Sequence, residues 1–322
     1  MKTLEGLRWK PKWTTHIGCL KGCLDYLGVE MTDAWLFGAT GHAFVMNVHG
    51  EVCPSGPTAW RSEVLHELGQ AVGYRVERIE GDKRQPGFDD VQKRAWEATR
   101  QAIDDGIPVY GWELDFAEYY VVHGYDETGY YFSGPLCDDG KGPKPWRELG
   151  KTDIGWLVVH IVRPGEAKDD AAVVKRALEF AVAMRDDPDK WSFDVYKMSL
   201  AAYDSWIRAI ENGKAGGFGT AFNAIVWAEC RNHARDFLVE ALGRLEGRCD
   251  ALFEEAIESY AAVAKNLNGV GEIFPFLNTP DAEKEKNVKD PERCAKALEY
   301  LGAARAAEES GLKKLEEIAA SL

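Results

Sequence analysis

The chain has no uninterrupted apolar stretch near the ~18 residues that a membrane-spanning helix requires. Its first residues, MKTLEGLRWKPKW, contain neither the apolar core nor the small-residue cleavage site of a secretory signal. Basic charge is scarce: 39 Lys and Arg stand against 53 Asp and Glu, a formal net charge of −14. Such a surface repels phosphate backbones and anionic headgroups, which argues against nucleic-acid and membrane partners. Cysteine is sparse, odd in number and scattered, 7 in 322 residues. That pattern reads as reduced, cytoplasmic usage and not as a disulfide framework. Cys19 and Cys23 form the only close pair, and no second pair completes a zinc site. The expectation is no metal and no cofactor.

Aromatic residues are plentiful, with 11 Trp, 12 Tyr and 13 Phe, a composition foreign to disordered chains. A length of 322 residues suggests about two domains and buries a core without staples. Residues 1–165 mix strand and helix signals. The turn-rich stretch Val52-Cys53-Pro54-Ser55-Gly56-Pro57 breaks the chain early. Residues 90–105 read as an amphipathic helix with Val91, Ala95, Ala98 and Ile103 on one stripe, stopped by Gly106. Strands are expected from Ile107 to Trp112, in a hairpin Tyr119–His123 and Tyr130–Phe132 turning at 124–129, and over Trp156–Val162.

From residue 166 onward Ala, Glu, Lys and Leu recur with helical spacing. Helices are expected near 169–185, 195–211, 218–243, 247–267 and 290–320, broken at Asn212-Gly213 and Asn268-Gly269, with an irregular excursion over 274–290. In the third of these, Asn223, Trp227, Cys230 and Ala234 share a stripe, with Glu229, His233 and Asp236 nearby. A satisfied helix–helix network explains such a stripe most simply. Glu229 and His233 have metal-ligand spacing but no third ligand. The Gly216-Gly217-Phe218-Gly219-Thr220 start lacks the Lys-Ser/Thr of a phosphate-binding loop.

A helix is also expected over His16–Leu27, with Thr14 or Thr15 as its N-cap and Gly28 ending it, and with Ile17, Leu20, Leu24 and Leu27 on one face. Beyond it come Ala34-Trp35-Leu36-Phe37-Gly38-Ala39-Thr40-Gly41-His42-Ala43-Phe44, then Gly106-Ile107-Pro108-Val109, Gly124-Tyr125-Asp126 and Gly134-Pro135. These motifs, over roughly residues 12–162, resemble the N-terminal domain of the butirosin biosynthesis protein H family and the papain-fold peptidases that cleave double-glycine leaders. The resemblance implies an α+β, papain-like cysteine-peptidase fold for residues 1–165, joined to an all-α helical bundle over residues 166–322. In those families a Cys opens the helix thirteen residues before its closing Gly, a His lies six residues before Gly-Tyr-Asp, and an Asp stands in an Asp-Pro pair. Here these positions hold Thr15, Glu118 and Gly134. A Thr–Glu pair is a poor substitute, because an alkoxide needs a stronger base than a carboxylate of unperturbed pKa near 4.3.

Two other groups are candidates to rescue thiol chemistry. Cys19 lies one helical turn beyond Thr15, and His42 sits in a Gly-flanked loop. His123 falls on the opposite strand face from Glu118 by parity, unless a bulge intervenes. Trp112-Glu113-Leu114-Asp115-Phe116-Ala117-Glu118 gathers three carboxylates at a strand end. Alternation puts Glu113 and Asp115 on one face, suited to a cation, a sugar or an amine, with aromatic surfaces at Trp112 and Tyr120. The functional expectation is a catalytically degenerate papain-like protein binding a small molecule or peptide in the former cleft, through Thr15, His16, Trp112, Glu113, Asp115, Glu118 and Tyr120. The alternatives are a thiol-dependent peptidase or acyltransferase using Cys19 with His42, and a homodimeric interaction module.

Overall fold

In the computed structural model, which describes residues 1–322, the chain opens with β1 (Lys2–Thr3), α1 (Thr15–Tyr26), α2 (Asp33–Ala39), β2 (Asn47–His49) and α3 (Val64–Gly69). There follow β3 (Val72–Asp82), α4 (Phe88–Asp104), β4 (Val109–Trp112), β5 (Tyr119–Tyr125), β6 (Gly129–Gly134), β7 (Cys137–Pro145) and β8 (Trp156–Ala167). The remainder is α5 (Asp170–Asp186), β9 (Tyr196–Met198), α6 (Leu200–Glu211), α7 (Gly217–Leu245), α8 (Asp250–Ile273), α9 (Asp281–Asn287) and α10 (Pro291–Ser321). Helix accounts for 53% and strand for 18%, so the class is α+β. No helix is long and apolar enough to cross a membrane.

The chain divides into two compact units. One comprises Met1–Met31 and Gly73–Ala167; the other comprises Thr32–Val72 and Lys168–Leu322. Residues 32–72, placed with the strands in the sequence reading, group here with the C-terminal helices. The reason is packing. α2 buries Trp35, Leu36 and Phe37 and lies along α7, so tightly that a Cβ on Gly38 would meet the Phe237 ring at 1.9 Å. The Arg244 guanidinium covers Trp35 at 3.8 Å, and the Phe44 ring leans on Phe237 and Tyr260.

The first unit is built on a seven-stranded sheet in the order β3-β8-β4-β5-β6-β7, with β1 added beside β5. The hairpin turns at Asp126, whose Oδ1 takes the N–H groups of Thr128 and Gly129 and whose Oδ2 takes the Tyr131 hydroxyl. Gly124, expected in the turn, lies inside β5 next to a bulge between Val122 and Gly124, where the Lys2 carbonyl leaves no room for a side chain. Five strands escaped the sequence reading: β1, β2 and β9, of two or three residues each, and the longer β3 and β7. β3 (VGYRVERIEGD) carries charges along much of its length, and β7 (CDDGKGPKP) reads as a loop and pairs with an irregular register.

α1 packs its apolar face on β4, β5 and β8. It ends at Gly28, φ +72°, where Gly28 N–H bonds Asp25 O and Val29 N–H bonds Leu24 O, closing the last turn. Its other face is grooved: Cβ atoms on Gly18 and Gly22 would stand 2.3 and 2.0 Å from the Lys10 and Arg8 carbonyl oxygens of the crossing N-terminal segment. α4 presents Phe88, Gln92, Ala95, Trp96, Thr99, Ala102 and Ile103 inward, leaving Val91 and Ala98 at the margin of the expected stripe. Gln92 is buried because its amide donates to the Arg147 and Leu149 carbonyls, both at 2.8 Å.

In the second unit the long helices overlap their expected spans, except that the helix expected from residue 195 begins only at Leu200, because Tyr196–Met198 pairs with Asn47–His49 as a strand. α8 runs through Asn268-Gly269 to Ile273, because the glycine admits the Tyr300 ring of α10 against the helix backbone. The excursion over 274–290 contains α9. Between α7, α8, α6 and α10 lies a fully buried ion pair, Arg231 Nε to Glu308 Oε2 at 2.7 Å. Tyr203 and Tyr260 donate their hydroxyls to the same carboxylate. The Arg231 guanidinium also donates to the carbonyls of Ala43, Phe44 and Val45.

Candidate functional site

Thr15 is the first residue of α1, and Glu118 ends the loop that leads into β5. The Thr15 hydroxyl donates to Glu118 Oε2 at 2.5 Å and accepts the Tyr119 N–H at 3.2 Å. The helix start and the strand start are therefore tied through one side-chain oxygen. Glu118 is half-buried, and its carboxyl is pushed up to about 7 by desolvation, against the opposing pull of the Thr15 bond. Its carboxyl group thus changes charge near neutrality, unlike the ordinary carboxylate anticipated from sequence.

The neighbourhood is thiol-bearing and aromatic. Cys19 is fully buried one turn along α1. Its thiol is held well above the usual range by burial first, then by Cys23, Glu118 and Cys137. That environment disfavours the thiolate a nucleophile needs. The His16 ring lies edge-on to Tyr110, Tyr119 and His160, with centroids at 5.4, 4.9 and 5.6 Å. Trp112 is buried against Tyr119 at 5.0 Å. Tyr120 points into the sheet core between Phe116 and Phe132.

The three carboxylates do not converge. β4 ends at Trp112, and Glu113 adopts a left-handed φ of 60°, so strand alternation no longer applies to Asp115. Glu113 is buried and accepts the Thr152 hydroxyl at 2.6 Å, and burial raises its pKa. Asp115 pairs with Lys141 at 2.7 Å on the sheet's outer edge. Glu118 alone meets α1. No set of His, Cys, Asp and Glu side chains is arranged to hold a metal ion.

His42 belongs to the other unit and is buried in a short 3-10 turn, His42–Phe44. Its Nδ1 lies 3.9 Å from Cys230 Sγ, between the rings of Phe37 and Trp60. Burial, aided by the Arg231 charge, pushes its pKa down to about 4, so the imidazole is neutral at physiological pH. His123 bonds the Phe132 carbonyl and lies against Gly140, a sheet residue in spite of the adjacent bulge. At Gly134 the Tyr120 ring occupies the space of a side chain, 2.5 Å from a would-be Cβ. An Asp has no room there. The polar stripe of α7 is satisfied locally: Asn223 donates to the Cys53 and Gly219 carbonyls and accepts the Trp227 indole N–H at 2.9 Å.

Sequence reasoning missed Thr152, Lys141, Tyr110 and His160 as neighbours of these groups. Thr152, in a bend before β8, and Lys141, in β7, stand in segments with no motif, and only the tertiary fold brings them to the 113–118 loop. Tyr110 and His160 were legible as strand residues, and the β4–β8 register sets them opposite each other. No protein-family model matches this chain, and no curated protein matches its sequence.

Proposed function

We propose that the first unit is a papain-like domain whose thiol–imidazole pair has been exchanged for Thr15 and Glu118, and that it binds a small molecule or peptide at this locus. One observation carries the reading. The two positions that the family resemblance assigns to nucleophile and base, 103 residues apart in sequence, share a hydrogen bond of 2.5 Å. The pair sits where a helix start meets a strand start. Beside it, Glu118 and Tyr119 remain partly accessible and Phe116 is exposed, so a ligand has a carboxyl, an aromatic face and an apolar rim to contact. Glu118 forms no ion pair within the chain, and near pH 7 it offers either a proton or a negative charge. Cys19, fully buried and with its thiol held well above the usual range, is a poor source for the missing nucleophile.

The test restores what the exchange removed. Thr15→Cys with Glu118→His is expected to create a thiol that iodoacetamide alkylates at pH 6, well below the unperturbed thiol pKa of ~8.5. The wild-type chain, and Thr15→Cys alone, should stay unlabelled in the first unit under the same conditions. If the thiol introduced at position 15 is no more reactive in the double variant than in the single one, the papain-like assignment fails. For binding, native mass spectrometry of the purified wild type is expected to reveal a retained molecule that Glu118→Ala loses. Equal retention by both would place the ligand elsewhere.

A further inference from the structure

We propose that Glu113 is the positioning residue of the Thr15–Glu118 site: its carboxylate, latched by the Thr152 hydroxyl, holds the left-handed turn that delivers Glu118 to Thr15. The proposal rests on that pair being the functional locus, and it assigns a role to a residue that touches neither partner's reacting atoms.

Glu113 is unusual in two independent ways. Its φ of 60° lies in the region that disfavours side chains with a Cβ, yet the position holds neither glycine nor asparagine. Its side chain is also almost wholly buried, where a solvent-facing turn would expose it. Residues held in such conformations persist only where their surroundings over-determine them. Here the determinants are visible. The Gly155 N–H donates to Thr152 Oγ1 at 3.3 Å, which turns the hydroxyl proton toward Glu113, and Thr152 then donates to Glu113 Oε2 at 2.6 Å.

On the backbone side, the Glu113 N–H donates to the Glu118 carbonyl at 2.8 Å, closing the loop on itself. Inside it, the Glu118 N–H reaches the Phe116 carbonyl at 2.7 Å, and the Phe116 N–H reaches the Tyr120 hydroxyl at 3.4 Å. Leu114 is anchored in the core, and Asp115 is tied outward to Lys141. A continuous series of bonds therefore runs from the segment before β8, through Thr152 and Glu113, to Glu118 and Thr15. The charged and titratable groups around its two ends are Lys83, Lys144 and Asp153 near Glu113, and Cys19 and Tyr120 near Glu118. Lys83 donates to the Thr152 carbonyl and the Tyr120 hydroxyl accepts the Phe116 N–H, while the Glu113 carboxyl itself is held by Thr152.

The experiment follows the Glu118 carboxyl by carbon NMR in the full-length chain carrying labelled glutamate, with Glu118→Gln identifying its signal. The wild-type midpoint is expected at about 7. In Glu113→Ala and Thr152→Val the loop relaxes toward water, and the Glu118 acid dissociation constant should rise about tenfold or more, a fall of about one pH unit or more. Glu113→Gln keeps an oxygen that accepts the Thr152 hydroxyl and should keep the midpoint. A Glu113 that merely supports the fold would lower the melting temperature of the alanine variant and leave the Glu118 midpoint unchanged, and that result overturns the proposal. So does a midpoint displaced equally in Glu113→Gln and Glu113→Ala. Should Glu113→Ala fail to fold, Thr152→Val against Glu113→Gln carries the same comparison. The titration needs no ligand, so it fails or succeeds independently of the thiol-restoration and retention experiments.

Discussion

Glu113 and Glu118 are five residues apart on one loop, and burial raises the pKa of both, but their partners give them different consequences. For Glu118 the folded carboxyl titrates near 7 and the unfolded one near 4.3. Between those values the native state holds a proton that the unfolded state has lost, so the contribution of this group to stability falls as pH rises through the window. Replacing it by Gln, which still accepts the Thr15 hydroxyl, removes the penalty. Glu118→Gln is expected to match the wild type near pH 4 and to exceed it by about 2–3 kcal/mol at pH 8, allowing for partial solvent access. Urea denaturation at the two pH values checks the sign. A Gln variant less stable at pH 8 would mean that the carboxylate is stabilised by a charge absent from its surroundings. Thr15 and Glu118 were singled out by what the family resemblance implies, counted from Gly28 and Gly124. Thr152, which bonds Glu113, was not, because it lies in a bend before β8 and reaches Glu113 only through the tertiary fold, 39 residues away.

At the scale of elements, the helices were the most legible part of the fold. α1, α4 and the five long C-terminal helices follow from 3.6-residue periodicity and from glycine stops, which act locally. β3 and β7 were not legible, since their stability comes from neighbouring strands and not from their own composition. Arg231 shows the same limit within a helix. Its charge suggests a solvated face, yet it is buried at the crossing of α7 and α10 with Glu308. Glu308→Leu, which leaves that guanidinium without its counter-charge, is expected to cost about 3–5 kcal/mol. Adding Arg231→Met should restore only part of the loss, because the carbonyls of residues 43–45 and the Tyr203 and Tyr260 hydroxyls stay unpaired. Guanidinium denaturation of the single and double variants tests this. Full recovery in the double variant would show that the network does not hold the 43–45 turn.

For the whole molecule, the decisive fact is that residues 32–72 belong with the helices. A fragment ending at residue 167 keeps all seven strands of the large sheet but strips α2 of α7, leaving Trp35, Phe37 and Phe44 without their partners. Such a fragment is expected to be cut by protease within 32–72 under conditions where the full chain resists. The apolar side chains so exposed should also make it aggregate. Resistance of 32–72 in the isolated fragment would show that the segment folds without the helices.

The sequence by itself determined the class, the helical C-terminal half and the glycine stop of α1. These depend on local periodicity and on turn chemistry. The tertiary structure alone decided that the carboxylates of the 113–118 loop diverge, that Gly134 has no room for an acid, and that residues 32–72 leave the strands for the helices. It also decided that Glu118 titrates near neutrality. Each of these is a matter of what lies beside a residue and how much water is excluded there, and neither quantity is written along the chain.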